Sequence, residues 1–154
     1  MESNTFSRAD WLRIHNDTAR DYRKGEWTRE VLFGIGKKRK RQFALASGKV
    51  LDAGCGYDAD FPHLVNAKRI TGVDFSPVML DLARQYSHDL GFTVDLRESD
   101  AEALDFPDNS FDTVISALAT CSFLNPLKAL AEMRRVCKPD GRILLVEHGR
   151  SDWE

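Results

Sequence analysis

The segment that most limits the fold is Lys49-Val-Leu-Asp-Ala53 running into Gly54-Cys-Gly56. Its apolar, β-favouring residues make a short buried strand, and the two glycines after it let the backbone turn sharply and approach a ligand closely. Alone, such a strand end is as consistent with a plain tight turn. About 20 residues on, Arg69-Ile-Thr-Gly-Val73 reads as a second strand ending at Asp74, where a carboxylate can accept hydrogen bonds from ribose hydroxyls. A glycine turn and an acid at these two strand ends point to a nucleoside-type ligand far more firmly than either does alone.

The rest of the chain continues the alternation. Ser76 as N-cap and Pro77 at the first helical position open a helix that Gly91 closes. Phe92, Val94 and Leu96 alternate with polar residues as a third strand, and Phe111 to Ala117 makes a fourth after the turn Pro107-Asp-Asn-Ser110. Asn125-Pro126 starts another helix, with Leu127, Leu130, Met133 and Val136 on its inner side, closed by Pro139-Asp-Gly141 ahead of a fifth strand, Arg142 to Val146. Strands alternating with helices predict an α/β fold, a doubly wound parallel sheet of order 3-2-1-4-5. Residues 1–47 read as a helical arm or lid and 48–154 as the binding core. In the arm, Ser7 and Asp10 form a capping-box-like start to a helix running to about Lys24, with Trp11, Leu12, Ala19 and Tyr22 on one stripe and Gly25 as its stop. A second helix is expected from Thr28 to Ala46, bent or broken at Gly34 and Gly36.

Composition narrows the class. The 154 residues make one domain, and 22 Lys and Arg against 24 Asp and Glu leave a net charge of -2, so no global field recruits nucleic acid or an anionic membrane. The one strong charge run, Lys37-Lys-Arg-Lys-Arg41, has the charge to meet RNA phosphates or an acidic lipid headgroup but is read as a solvated helix face; it lacks the interleaved aromatics of a nucleic-acid stacking platform. Cys55, Cys121 and Cys137 are odd in number without zinc or redox spacing, which suits free thiols in the cytoplasm and no metal site. No apolar run approaches the roughly 20 residues of a membrane helix.

A further acidic pair, Asp100-Ala-Glu102, follows the third strand at the same sheet edge, where a carboxylate can accept from an adenine amine; the plain alternative for each acid is a helix cap or solvated loop. With this third set of acids the chain, from about Gly48 to Gly149, resembles the small methyltransferases grouped with the ubiquinone and menaquinone biosynthesis enzymes, a branch of the class I S-adenosylmethionine methyltransferases with a Rossmann-like fold. The resemblance rests on Val50-Leu-Asp-Ala-Gly-Cys-Gly56, Thr71-Gly-Val-Asp-Phe-Ser-Pro77, Asp100-Ala-Glu-Ala-Leu104, Phe106-Pro-Asp-Asn-Ser-Phe-Asp112 and Arg135-Val-Cys-Lys-Pro-Asp-Gly-Arg142. It implies S-adenosylmethionine as cofactor and S-adenosylhomocysteine as product. Asp52, Gly54, Cys55 and Gly56 would shape the methionine pocket, Asp74 would hold the ribose, and Asp100, Ala101 and Glu102 would meet the adenine. Phe75 and Met79 would flank the adenosine, Ala117 would line the methionine side, and Tyr22 and His15 would close over it from the arm. His148, just beyond the fifth strand, is the candidate base.

Two departures from the family pattern stand out. Asp58 occupies the place of a further family glycine, where its carboxylate would repel the cofactor's own unless it points away or pairs with a cationic centre. The family also continues past the fifth strand with a helix and an antiparallel strand pair that this sequence lacks, leaving that strand as an edge for a homodimer. The expected function is methyl transfer to a small or lipid-like acceptor. The alternative is a catalytically silent cofactor- or partner-binding relative, and a nicotinamide-dependent oxidoreductase is disfavoured because no third spaced glycine follows Gly56. Cys121 is expected to be a small buried thiol.

Overall fold

The computed structural model describes residues 7–25 and 28–147, without the side chains of 20, 22, 23 and 29. Helix α1 (Arg8–Lys24) begins where the Ser7 hydroxyl accepts the Asp10 amide and the Asp10 carboxylate accepts the Ser7 amide, a reciprocal cap. One wide helical turn, Thr28–Leu32, leads to α2 (Ile35–Phe43). The break expected in this region falls at Gly34, whose φ of 66° ends one element and starts the next. Gly36 lies inside α2, where a Cβ would sit 2.7 Å from Glu30 Oε2, so glycine there permits close packing.

Strands β1 (Ser47–Ala53), β2 (Asn66–Asp74), β3 (Val94–Glu98), β4 (Phe111–Ala117) and β5 (Cys137–Val146) form one sheet of order β3-β2-β1-β4-β5, parallel throughout. Helix α3 (Pro77–Asp89) joins β2 to β3, and α4 (Pro126–Val136) joins β4 to β5. The two connections run outward in opposite directions from the centre, so right-handed crossovers put α3 and α4 on opposite faces. Side chains of β1 alternate accordingly. Val50 joins Phe43, Phe61 and Ile115 in one core cluster, and Leu51 joins Val114, Met133 and Val136 in the other. From Val50 to Ala53 the strand is buried on both sides, as a central parallel strand must be.

Several local expectations are corrected. Phe92 precedes β3 and is exposed, because the strand begins only at Val94. Leu127 stands 79 % exposed on the first turn of α4, whose buried side is Ala129, Met133 and Val136. Strand β5 begins at Cys137: that residue pairs with Phe111, and regular pairing resumes at Thr113 with Arg142, so Pro139-Asp-Gly141 is an irregularity within the strand. Cys121 is exposed, because it sits on a short turn, Thr120–Ser122, after β4.

Candidate functional site

The carboxyl ends of β1, β2 and β4 open into one cleft, because the chain leaves the sheet in different directions on either side of β1. The turn after β1 is shaped by positive φ at Gly54 (78°) and Gly56 (58°), and by Asp58 at 76°. Asp58 thus keeps the left-handed backbone of the glycine that the family pattern has there. Its side chain is buried, and one oxygen accepts the amides of Asp60 and Phe61 at 3.2 and 3.0 Å, so it caps the following turn (Phe61–His63) and does not line the cleft.

Across the turn, Asp74 accepts the Gly56 amide at 2.9 Å with one oxygen and the Ser76 amide at 2.8 Å with the other. Burial lifts its pKa above the ordinary carboxylate value, and those two amides work against the rise. Asp52 lies behind the turn, fully buried, and neither of its oxygens has a hydrogen-bond partner among the described residues. Burial, with the neighbouring Asp60 charge, pushes its pKa well up. Asp58 is pushed the same way by burial and by Asp52.

Of the sequence-predicted residues, Gly54, Cys55, Gly56, Asp74, Phe75, Met79 and Ala117 line the cleft at the glycine turn. Asp100, Ala101 and Glu102 line its continuation toward β3, which shares Gly54, Asp74 and Phe75. Asp100 is ion-paired with Arg8 of α1 and accepts the Glu102 amide at 2.9 Å. Glu102 accepts the Asn125 amide at 2.8 Å, so it also anchors the start of α4. Burial and surrounding acids raise the Cys55 thiol well above its usual pKa, keeping it protonated and unreactive. His148 and the Tyr22 side chain lie outside the described residues.

Helix α1 crosses the cleft. Trp11 donates its indole N–H to the Ser122 carbonyl, Ser76 donates its hydroxyl to Asn16 at 2.6 Å, and His15 packs edge-on against Phe75 with centroids 5.1 Å apart. His15 Nδ1 lies 3.1 Å from the Trp11 carbonyl. A carbonyl only accepts, so Nδ1 is the donor in this contact.

Arg39 and Asp60 line the same cleft, and sequence reasoning missed both. Arg39 belongs to the charge run expected on a solvated face. It is instead buried, ion-paired with Asp60 and with Glu30 at 3.0 Å. Its position four residues before the buried Phe43 was the available signal, since residues at that spacing share a helix face. Burial opposes the Arg39 charge, but Asp60 and Glu30 outweigh it and raise its pKa. Asp60 rises to about 6 through burial, even with Arg39 beside it. Among the described residues no His, Cys, Asp and Glu side chains group to hold a metal ion. No described helix is long and apolar enough to cross a membrane.

Comparison with known proteins agrees with this geometry. Residues 51–145 match the family model described as a methyltransferase domain. The chain is 36 % identical over 107 residues to the phosphatidylethanolamine N-methyltransferase of Cereibacter sphaeroides, covering 68 % of this chain and 53 % of that protein. It is 37 % identical over 134 residues to the ubiquinone/menaquinone biosynthesis C-methyltransferase UbiE of Pseudoalteromonas translucida, covering 79 % of this chain and 53 % of that one. The chain thus spans about half the length of the curated relatives it matches. Among solved structures, a SAM-dependent methyltransferase from Aquifex aeolicus superposes with a TM-score of 0.67 at 27 % identity, over 82 % of this chain and 71 % of that one. With the matched domain, the strand order and the glycine turn in agreement, the chain belongs to the class I S-adenosylmethionine-dependent methyltransferases.

Proposed function

We propose that this chain binds S-adenosylmethionine along the cleft and directs its methyl group to a lipid-like or other small acceptor. The observation that carries this reading is the cleft lining, in which Gly54, Gly56, Asp74, Phe75 and Met79 meet at the glycine turn and Asp100 and Glu102 line its continuation. Behind the turn the buried Asp52 has no hydrogen-bond partner among the described residues, and a cationic group bound nearby lowers the cost of its charge. The cofactor carries two cationic centres, its ammonium and its sulfonium. Its donor groups suit the rest of the cleft: Asp74 toward the ribose, Asp100 toward the adenine amine, and Phe75 and Met79 as apolar walls. Arg39, buried in the cleft wall, suits the cofactor's carboxylate.

When bound, the cofactor supplies an already activated methyl group, so the chain's task is alignment and exclusion of water. Helix α1 serves as the lid in this reading, with Trp11, His15 and Phe75 forming an aromatic cover. Binding of the adenine requires Asp100 to exchange Arg8 for the base. Where the acceptor must lose a proton, the base is His148, expected from its place just beyond β5, or His15, which lines the cleft. The names of the two curated relatives, one acting on phosphatidylethanolamine and one in quinone biosynthesis, favour an acceptor with an apolar body. The outer edge of β5 is where a second copy would pair.

Titration calorimetry with S-adenosylmethionine, S-adenosylhomocysteine and a nicotinamide dinucleotide, followed by label transfer from methyl-tritiated cofactor into phosphatidylethanolamine and demethylated quinols, tests the reading. Binding of the first two ligands with label in a lipid fraction is expected. Tight product binding with no label in any lipid or extract fraction would favour the catalytically silent alternative, and preference for the dinucleotide would end the proposal.

A further inference from the structure

The charge run on α2 divides between two faces. Arg39 turns inward beside Phe43, whereas Lys37, Lys38, Lys40 and Arg41 are all exposed. Lys37 and Arg41, four residues apart, share the outer line of the helix, with Lys38 and Lys40 flanking it. None of the four is ion-paired with a described carboxylate. The one acid in residues 28–43, Glu30, is committed to Arg39. Immediately before the helix, Val31, Leu32 and Phe33 are 57, 69 and 69 % exposed, a run of three large apolar side chains facing solvent. An apolar tip beside a set of unpaired cations fits the headgroup region of an anionic bilayer: the tip enters the acyl boundary and the cations meet the phosphates.

We propose that the Val31-Leu-Phe33 tip and the outer face of α2 form a docking surface for anionic lipid membranes. With an overall net charge of -2, the rest of the molecule is acidic, so a negative surface attracts this end and repels the remainder, which fixes orientation as well as affinity. The docked helix is also a wall of the cleft, through Arg39. Docking therefore holds the cleft one helix diameter, roughly 10 Å, from the bilayer surface. As an account of how a lipid acceptor arrives, this surface rests on the function proposed above. RNA is the competing polyanion, but no aromatic residue interleaves with the cations, and the single ring of Phe33 at the end of an aliphatic pair is not a platform for stacking successive bases.

The test is co-sedimentation of the full chain with phosphatidylcholine vesicles and with equal mixtures of phosphatidylcholine and phosphatidylglycerol. Binding at least about tenfold stronger to the anionic vesicles, lost in high salt, is expected, since each cation near such a surface contributes about fivefold. The K37Q/K38Q/K40Q/R41Q variant should lose at least about tenfold. L32S/F33S should lose several-fold while the anionic preference persists. All six side chains are exposed, so unchanged melting curves will accompany both variants. Equal binding to the two vesicle types, full retention by the quadruple variant, or displacement from vesicles by single-stranded RNA at equal phosphate concentration would overturn the proposal. Cofactor calorimetry on the same preparations separates the two readings. Vesicle binding without cofactor binding removes methyl transfer and leaves the surface standing; cofactor binding with indifference to anionic lipid does the reverse.

Discussion

The Asp74 carboxylate accepts the Gly56 amide at 2.9 Å and so closes the glycine turn of β1 onto the tip of β2. Its second oxygen holds the Ser76 amide at the start of α3. One side chain therefore sets the spacing of both walls of the cleft while facing into it. Asp74→Asn keeps one acceptor and turns the other into a donor opposed to a backbone N–H. It should lose about 1–3 kcal/mol of stability, and S-adenosylmethionine affinity measured by calorimetry should fall at least about tenfold. Retained affinity would mean that Asp74 acts only on the turn.

Asp52 should behave in the opposite way toward stability. Its burial without a partner means that folding carries a cost in the free protein. Asp52→Asn should raise the stability of the unliganded chain near pH 7, because the amide carries no charge to desolvate, while weakening cofactor binding at least about tenfold. Chemical denaturation paired with calorimetry reads both quantities. A variant that is less stable and binds normally would place Asp52 among purely structural residues.

The two cleft glycines should respond differently to a methyl group. At Gly54 a Cβ would lie 2.8 Å from the Ala119 side chain and 3.2 Å from the Phe123 ring, on a backbone with φ of 78°. Gly54→Ala should cost about 2–4 kcal/mol, from strain and overpacking together. At Gly56 the added atom meets open space, so Gly56→Ala should cost only the left-handed backbone preference, about 1 kcal/mol. Equal losses from the two variants would contradict this difference in surroundings.

Stability should fall as pH rises from about 4 to about 6. Asp60 titrates near 6 in the folded chain, and burial also raises Asp52, Asp58 and Asp74. Between the unfolded carboxylate value of about 3.9 and the raised folded values, the native state holds more protons than the unfolded state. Raising the pH through that interval therefore favours unfolding. Below it both states are protonated, and the acids with lowered pKa, such as Asp95 and Asp112, set the opposite slope. Melting temperatures across pH 4.5 to 7.5 should decline by about several degrees, and a rise over the same range would refute the assignment.

Much of the site was legible in the sequence because it depends on strand ends. In a parallel sheet the carboxyl ends share one edge, so Gly54, Asp74, Asp100 and Ala117 had to converge once the alternation of strands and helices was recognised. Local capping chemistry was legible for a related reason: Ser7, Ser76 and Asn125 act on amides three residues away. Residues whose role depends on distant partners were not. Arg39 looks like its four neighbours until packing turns it toward Asp60, and no nearby residue shows that Glu102 also holds the Asn125 amide.

The sequence by itself determined the order of elements, the sheet direction and the identity of the glycine turn with its acids, since periodicity and caps are properties of neighbouring residues. Only the tertiary structure decided which charges are buried together, because Arg39 of α2, Asp52 of β1 and the turn that carries Asp58 and Asp60 meet after the sheet has formed. It also decided that Asp58 points into the following turn and that α1 lies across the cleft. These outcomes turn on desolvation and long-range pairing, which spacing along a chain does not record.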